Sequence, residues 1–127
     1  MTLEKTFQAA LMVHVGAKPF ARLWRQNVAV LRVRDSVGRT ERFFHAGPPK
    51  GAADLSGIVT PEGWRIEIEV KAAKGKRSKA QLSWADFIER SGGVYVLVQY
   101  DEALDLDANL AAAERSILAA IAARRAR

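Results

Sequence analysis

The chain has no cysteine, two histidines, two methionines and four prolines, and aromatic residues make up only 8% of its 127 positions. Without cysteine there is no disulfide, no thiolate nucleophile and no cysteine-ligated zinc. His14 and His45 stand far apart and lack metal-ligand spacing, so each reads as a surface or core-edge residue. The chemistry left to this sequence is that of carboxylates, lysines and hydroxyls. No uninterrupted apolar run approaches the roughly 20 residues that a membrane helix needs. Glu4 and Lys5 precede a helical pattern rather than a secretory layout, so a soluble, cytoplasmic protein without membrane association is expected. Gly75-Lys76 lacks the spacing of a Walker loop, and no dinucleotide fingerprint occurs, which argues against a nucleotide-hydrolysing P-loop enzyme.

What is present suits one domain over 1–127, since 49% of the residues are hydrophobic and the length matches a single core. The formal charge of +6 is uneven: residues 1–50 hold nine basic and three acidic side chains, 51–100 seven and six, 101–127 four and five. Cations therefore gather early in the chain and again over 71–79. Such clusters favour a polyanionic partner, above all nucleic acid, because each phosphate contact releases counterions. A solvated basic surface fits the charge alone equally well.

Residues 2–15 set Leu3, Phe7, Leu11 and then His14 or Val15 about one helical turn apart, which predicts an amphipathic helix capped by Thr2 and ended by Gly16 and Pro19. The β-branched run "NVAVLRVRD" at 27–35 and "RTERFFH" beyond a turn at 36–38 predict a hairpin, and "AGPPKG" at 46–51 a loop. "DLSGIV" at 54–59 and "WRIEIEVKA" at 64–72, joined by "TPEG", predict a second antiparallel hairpin. Ser78 and Gln81 form the S-x-x-Q capping box of a helix over 79–90 with Leu82, Ala85, Phe87 and Ile88 at helical spacing, and Ser91-Gly92-Gly93 stops it. "VYVLVQY" at 94–100 reads as a strand covered on both sides. From about residue 103, Leu106, Leu110, Ala113, Ile117 and Ile121 trace one stripe of an alanine-rich helix, with Arg124, Arg125 and Arg127 where its dipole favours cations. The order is helix, two or three antiparallel strands, helix, strand, helix, which makes an α/β fold of the α+β, mixed-sheet kind.

On the strand at 64–72, Glu67, Glu69 and Lys71 share one face and Ile66, Ile68 and Val70 the other. Alternation alone fits a half-buried strand with a charged outer face, where a Lys71 ion pair contributes about 0 to 1 kcal/mol. The context adds Asp54, which opens the preceding strand and which the hairpin brings beside Glu69. Two carboxylates on adjacent strands, with one backbone carbonyl, supply an adequate protein share of the oxygen shell of Mg²⁺. Such an ion polarises phosphate and activates water, and Lys71 is placed to orient or deprotonate that water or to stabilise developing charge.

"GAAD" at 51–54 followed by "EVK" at 69–71 resembles the D…(D/E)-x-K arrangement of the PD-(D/E)xK nuclease superfamily. The longer run "GAADLSGI…WRIEIEVKAAKGKRSKAQLSWADFIERSGGVYVLV" resembles more closely its virus-type replication-repair nuclease (VRR-NUC) domain, well over 51–98 and loosely over 1–50. Ala53 departs from the proline of the superfamily name, at a position where members vary. The resemblance implies a restriction-endonuclease-like α-β-β-β-α-β core with an added C-terminal helix. It implies further that Asp54, Glu69 and the Val70 carbonyl bind Mg²⁺ or Mn²⁺, that Lys71 assists the attacking water, and that Gln81 belongs to the site. Glu4 matches the family's N-terminal acidic residue loosely, and Glu67 is an extra acid that either supports a second ion or sits at the edge. The implied activity is hydrolysis of branched or structured DNA such as four-way junctions, by a homodimer.

Gln81 serves equally as the third helical residue of its capping box. Lys74, Lys76, Arg77 and Lys79 are read as contacts to the DNA backbone beside the site, and Arg32, Arg34, Arg39 and Arg42 either extend that surface or form the outer face of a hairpin. Trp24, Trp64 and Trp84 are read as core or interface rather than base-stacking residues. Two other readings use less of the pattern: a noncatalytic nucleic-acid-binding module on the same fold, and a partner-binding protein acting through the C-terminal helix.

Overall fold

The computed structural model describes the backbone of residues 2–26, 29–34, 38 and 41–127, and the side chains of 2–26, 34, 38 and 47–127. The elements run α1 (Leu3–Gly16), β1 (Ala21–Arg25), β2 (Ala29–Arg34), β3 (Glu41–Ala46), β4 (Leu55–Val59), β5 (Arg65–Ala72), α2 (Lys79–Arg90), β6 (Val94–Tyr100) and α3 (Leu106–Arg125). Four strands form a mixed sheet in the order β1-β4-β5-β6, and β2 and β3 pair separately as an antiparallel hairpin. β4 runs antiparallel to both of its neighbours, β1 and β5, whereas β6 runs parallel to β5. That change of direction requires a crossover, which α2 provides. The protein is therefore an α+β fold with three helices on a mixed sheet.

Five strands precede α2 rather than the two or three expected, and three of them, β1, β4 and β5, belong to the four-stranded sheet. The first core strand is "ARLWR" at β1, which the sequence reading passed over, and the 27–46 hairpin is inserted between β1 and β4. Arg22, Trp24 and Arg25 are exposed on this edge strand, so its pattern carries little apolar signal. Charged residues on an edge also discourage pairing with other chains.

One face of the sheet packs against α1 and α3. Phe7, Leu11 and Val15 of α1 and Leu110, Ala113, Ile117 and Ile121 of α3 close over Leu55, Val59, Ile66, Ile68, Val70, Val94, Val96 and Val98. Each fully buried aliphatic side chain there contributes roughly 1.5–3 kcal/mol of transfer free energy. Both helices start on side-chain caps: Thr2 accepts from the Lys5 amide and Asp105 from the Ala108 amide. At the far end of α3, Arg125 pairs with Glu62 in the β4–β5 turn, and Arg124 lies 4.3 Å over the Trp64 ring and donates to the Gly92 carbonyl. His14 is half-buried and meets Glu114 at 2.9 Å, tying α1 to α3.

The opposite face is covered by α2 only in part. Val94, Val96, Val98 and Tyr100 of β6 are buried, but Tyr95 and Leu97 are half-buried and Gln99 is exposed, so this strand is not sealed on both sides as its composition implied. On α2, Ala85 and Ile88 face inward, while Leu82 and Phe87 of the expected stripe are exposed. β5 shows the reverse departure: residues 66–70 are all buried, so its acidic face is not solvated.

Candidate active site

β4 pairs with β5 from Leu55 opposite Ile68 and stops there, which leaves Asp54 at the strand's mouth next to Glu69. Asp54 Oδ2 accepts the Val70 amide at 2.8 Å, and its carbonyl accepts the Gln26 amide at 2.9 Å from the end of β1. The aspartate is thus fixed through side chain and backbone by the two neighbouring strands. A strand residue's N–H and C=O leave on the same edge, so the Val70 carbonyl lies on the edge that Asp54 caps. The loop before Asp54 packs on the start of α2: a Cβ on Gly51, whose φ is +90°, would come within 2.4 Å of the Ala80 carbonyl oxygen. Glycine is required there by backbone conformation and by space together.

Glu69 is 2% exposed. Its Oε1 accepts from Gln81 Nε2 at 3.0 Å and faces Lys71 Nζ at 3.8 Å. Its Oε2 is buried and has no partner among the described residues. Burial first, and the Asp54 carboxylate second, push Glu69 up to about 8, against the pull of Lys71. Two adjoining carboxyl groups, one with an oxygen that has no donor among the described residues, become hard oxygen ligands on losing the Glu69 proton, a donor set that suits Mg²⁺ or Mn²⁺. Glu4 lines the same cleft as Asp54, and its charge adds to the upward push on Glu69, which brings the loosely matched N-terminal acid to the site. Among the described residues no three His, Asp or Glu side chains are gathered as a metal cluster, so water would complete the shell.

Gln81 both closes the capping box and reaches Glu69. Its Oε1 accepts the Ser78 amide at 2.7 Å, Ser78 Oγ accepts the Gln81 amide at 3.1 Å, and the remaining Nε2 donates to Glu69. The capping box thereby aims an amide N–H at the buried carboxylate and sets the first turn of α2 over the site.

Glu67 shares the face of Glu69 and is wholly buried, but donors surround it. Oε2 accepts from Arg65 Nη2 at 2.7 Å, Arg65 Nε at 3.0 Å and Gln26 Nε2 at 2.9 Å, and Oε1 accepts from Trp84 Nε1 at 2.5 Å. A second metal there would have to displace a guanidinium, so the geometry makes Glu67 a structural hub rather than a ligand. It joins β5 to α2 through Trp84 and to the end of β1 through Gln26, whose Nε2 also donates to the Ala53 carbonyl at 3.2 Å.

Lys74, Lys76 and Lys79 are exposed around the β5–α2 turn. Arg77 differs: it is half-buried, with its guanidinium 5.6 Å over the Tyr95 ring. Tyr95 lies opposite Glu67 in the β5–β6 register, and its hydroxyl is buried without a partner among the described residues. Burial, then the charge of Glu69, push Tyr95 up to about 12, so this hydroxyl stays a proton donor beside the carboxylates. The sequence reading missed Tyr95, Arg65 and Gln26. Tyr95 and Arg65 had a signal in the strand alternation that places them on the acidic face, but Gln26 had none. Trp24 is exposed rather than buried, while Trp64 and Trp84 are half-buried. Arg34 is exposed, and the side chains of Arg32, Arg39, Arg42 and His45 lie outside the described residues.

No helix among the described residues is long and apolar enough to cross a membrane. Compared with known proteins, the chain matches no family model and no curated relative.

Proposed function

We propose that this chain is a metal-dependent DNA endonuclease that hydrolyses phosphodiester bonds at the site formed by Asp54, Glu69 and Lys71. The observation that carries the reading is Glu69, a buried carboxylate pressed against a second one, with an unpartnered oxygen and a lysine 3.8 Å from its other oxygen. Asp54, Glu69 and the Val70 carbonyl would hold Mg²⁺ or Mn²⁺, which supplies Lewis acidity toward a phosphate oxygen and a more acidic water. The chain's own groups do the rest. Gln81 keeps Glu69 turned toward Asp54, and Lys71 stabilises negative charge gathering on the phosphate or, unprotonated, takes the proton of the attacking water. The water oxygen forms the new bond to phosphorus, the bond to the leaving sugar oxygen breaks, and that oxygen takes up a proton.

Lys74, Lys76 and Lys79 are exposed where the duplex backbone would pass. One small domain offers limited surface to DNA, so a homodimer presenting two centres suits branched substrates such as four-way junctions. The test is cleavage of labelled linear, flapped and four-way DNA with Mg²⁺, Mn²⁺ or EDTA, by wild type, Glu69→Gln and Lys71→Ala. Metal-dependent incision lost in both variants is expected, and equal cleavage by all three proteins would sink the site. Metal-independent binding with no incision of any substrate would favour a noncatalytic nucleic-acid-binding module.

A further inference from the structure

Resting on that reading, we infer that the cleft beside Asp54, between the start of α1 and the end of β1, is a second phosphate subsite that holds the DNA backbone next to the scissile bond through Lys5 and Arg25. The phosphate contacts expected beside the carboxylates lie in the turn at 74–79, on the α2 side. The structure opens a separate cleft of about 340 Å³ on the α1 side, of a size that admits a phosphate with part of its sugar. Asp54 forms one wall, so an anion held there is adjacent to the reacting phosphate.

Four features of the cleft suit a phosphodiester. Lys5 and Arg25 are exposed on its rim from two different elements, α1 and β1. Thr2, the N-cap of α1, lines it, so the helix begins at the cleft, where free backbone N–H groups favour an anion. Gln8 lines it from the next turn, where its side-chain amide N–H can donate to a phosphate oxygen. Fourth, the charges are balanced in a way that couples the two sites. Lys5 and Arg25 offset Glu4 and Asp54, so the cleft is near neutral by itself and gains a positive surplus once Asp54 is compensated by a divalent cation. The two basic groups would then flank the reacting phosphate from the α1 side while the lysine turn grips the strand from the α2 side, which fixes the direction in which the backbone crosses the carboxylates.

Binding tests this independently of catalysis. The affinity of wild type, Lys5→Ala/Arg25→Ala and the control Arg115→Ala for a fluorescein-labelled DNA duplex is measured by anisotropy in Ca²⁺ across a salt series, with a gel showing that the duplex stays whole. The expected result is a log–log salt slope shallower by about 1 in the double variant, as for one lost phosphate contact, and unchanged in Arg115→Ala. Lys5 and Arg25 are surface residues, so a fold defect is checked by circular dichroism and is not expected. An unchanged slope in the double variant overturns the subsite, even if the wild type cuts DNA with Mg²⁺. A shallower slope with no cleavage by the wild type under any metal sustains the subsite and overturns the nuclease reading instead.

Discussion

Glu67 and Glu69 lie on one face of the same strand, and both are sealed from solvent, yet the protein surrounds them in opposite ways. Glu67 takes hydrogen bonds from Arg65, Gln26 and Trp84, so its charge is compensated within the fold. Among the described residues, Glu69 takes one from Gln81, has Lys71 at the outer limit of an ion pair, and keeps one oxygen with no donor while facing Asp54. Burial therefore does not mark a working carboxylate by itself. The donor count separates the two acids: a saturated one holds strands and helix together, whereas an undersupplied one is open to a cation under the proposed function.

The largest effect that separates the pair is on chemistry. Glu69→Gln and Asp54→Asn keep shape and most hydrogen bonds but remove the anionic oxygens, and a drop in kcat of about 10²–10³-fold or more is expected in single-turnover cleavage. Lys71→Ala follows with an expected loss of about 10²-fold at little change in DNA affinity, because under the proposed mechanism its side chain would act during the chemical step and not in binding. A Glu69→Gln protein that cuts at the wild-type rate would end the distinction between the two glutamates.

Stability should show the opposite ranking. Glu67→Ala orphans the Trp84 and Gln26 donors and strips Arg65 of its partner, which costs roughly 3 kcal/mol in urea unfolding. Glu69→Ala removes a side chain that takes one hydrogen bond, from Gln81, among the described residues, and costs far less. Equal losses in the two alanine variants would show that Glu67 is no more a hub than its neighbour.

The sequence made much of this legible, and its failures have physical causes. Capping residues and turn glycines are local signals, so α2 appears at 79–90 as read, and the 54–72 hairpin closes as expected. Asp54 meets Glu69 because a hairpin register depends on a short turn. What was not legible depends on tertiary cover. Alternation shows that Glu67 and Glu69 share a face but cannot show that α2 closes over it, nor that Trp84 reaches one glutamate and Gln81 the other. β1 was hidden because an edge strand bearing Arg22, Trp24 and Arg25 has almost no apolar period, and the β6 run looked fully covered although α2 shields only part of its outer face.

A smaller effect concerns the basic turn. Lys74→Ala/Lys76→Ala should flatten the salt dependence of DNA binding by about 2 log units per log unit of salt, roughly one for each phosphate contact. Arg77→Ala should weaken packing at Tyr95 more than it alters the slope, since its guanidinium rests on that ring. A slope that falls as much for Arg77 as for the lysines would return Arg77 to the DNA surface.

The smallest effect, and the most diagnostic of environment, is on pH. The folded protein retains the Glu69 proton up to about 8, whereas the unfolded chain releases it near the ordinary 4.5. Between those values the native state binds more protons, so metal-free stability falls as pH rises through that window. Glu62 behaves in the reverse sense: its hydrogen bond from Arg125 holds it down to about 2, so its contribution is present above 4.5 and lost as pH falls toward 2. Melts of the EDTA-treated protein at pH 5 and pH 8 should therefore show a lower Tm at pH 8 in the wild type and little difference in Glu69→Gln. Added Mn²⁺ should restore the wild-type Tm at pH 8, because the cation binds the same carboxylate that proton loss leaves uncompensated. Arg125→Ala leaves this alkaline loss intact and removes the acid-side one, so the two carboxylates can be told apart by the direction in which each variant flattens the profile.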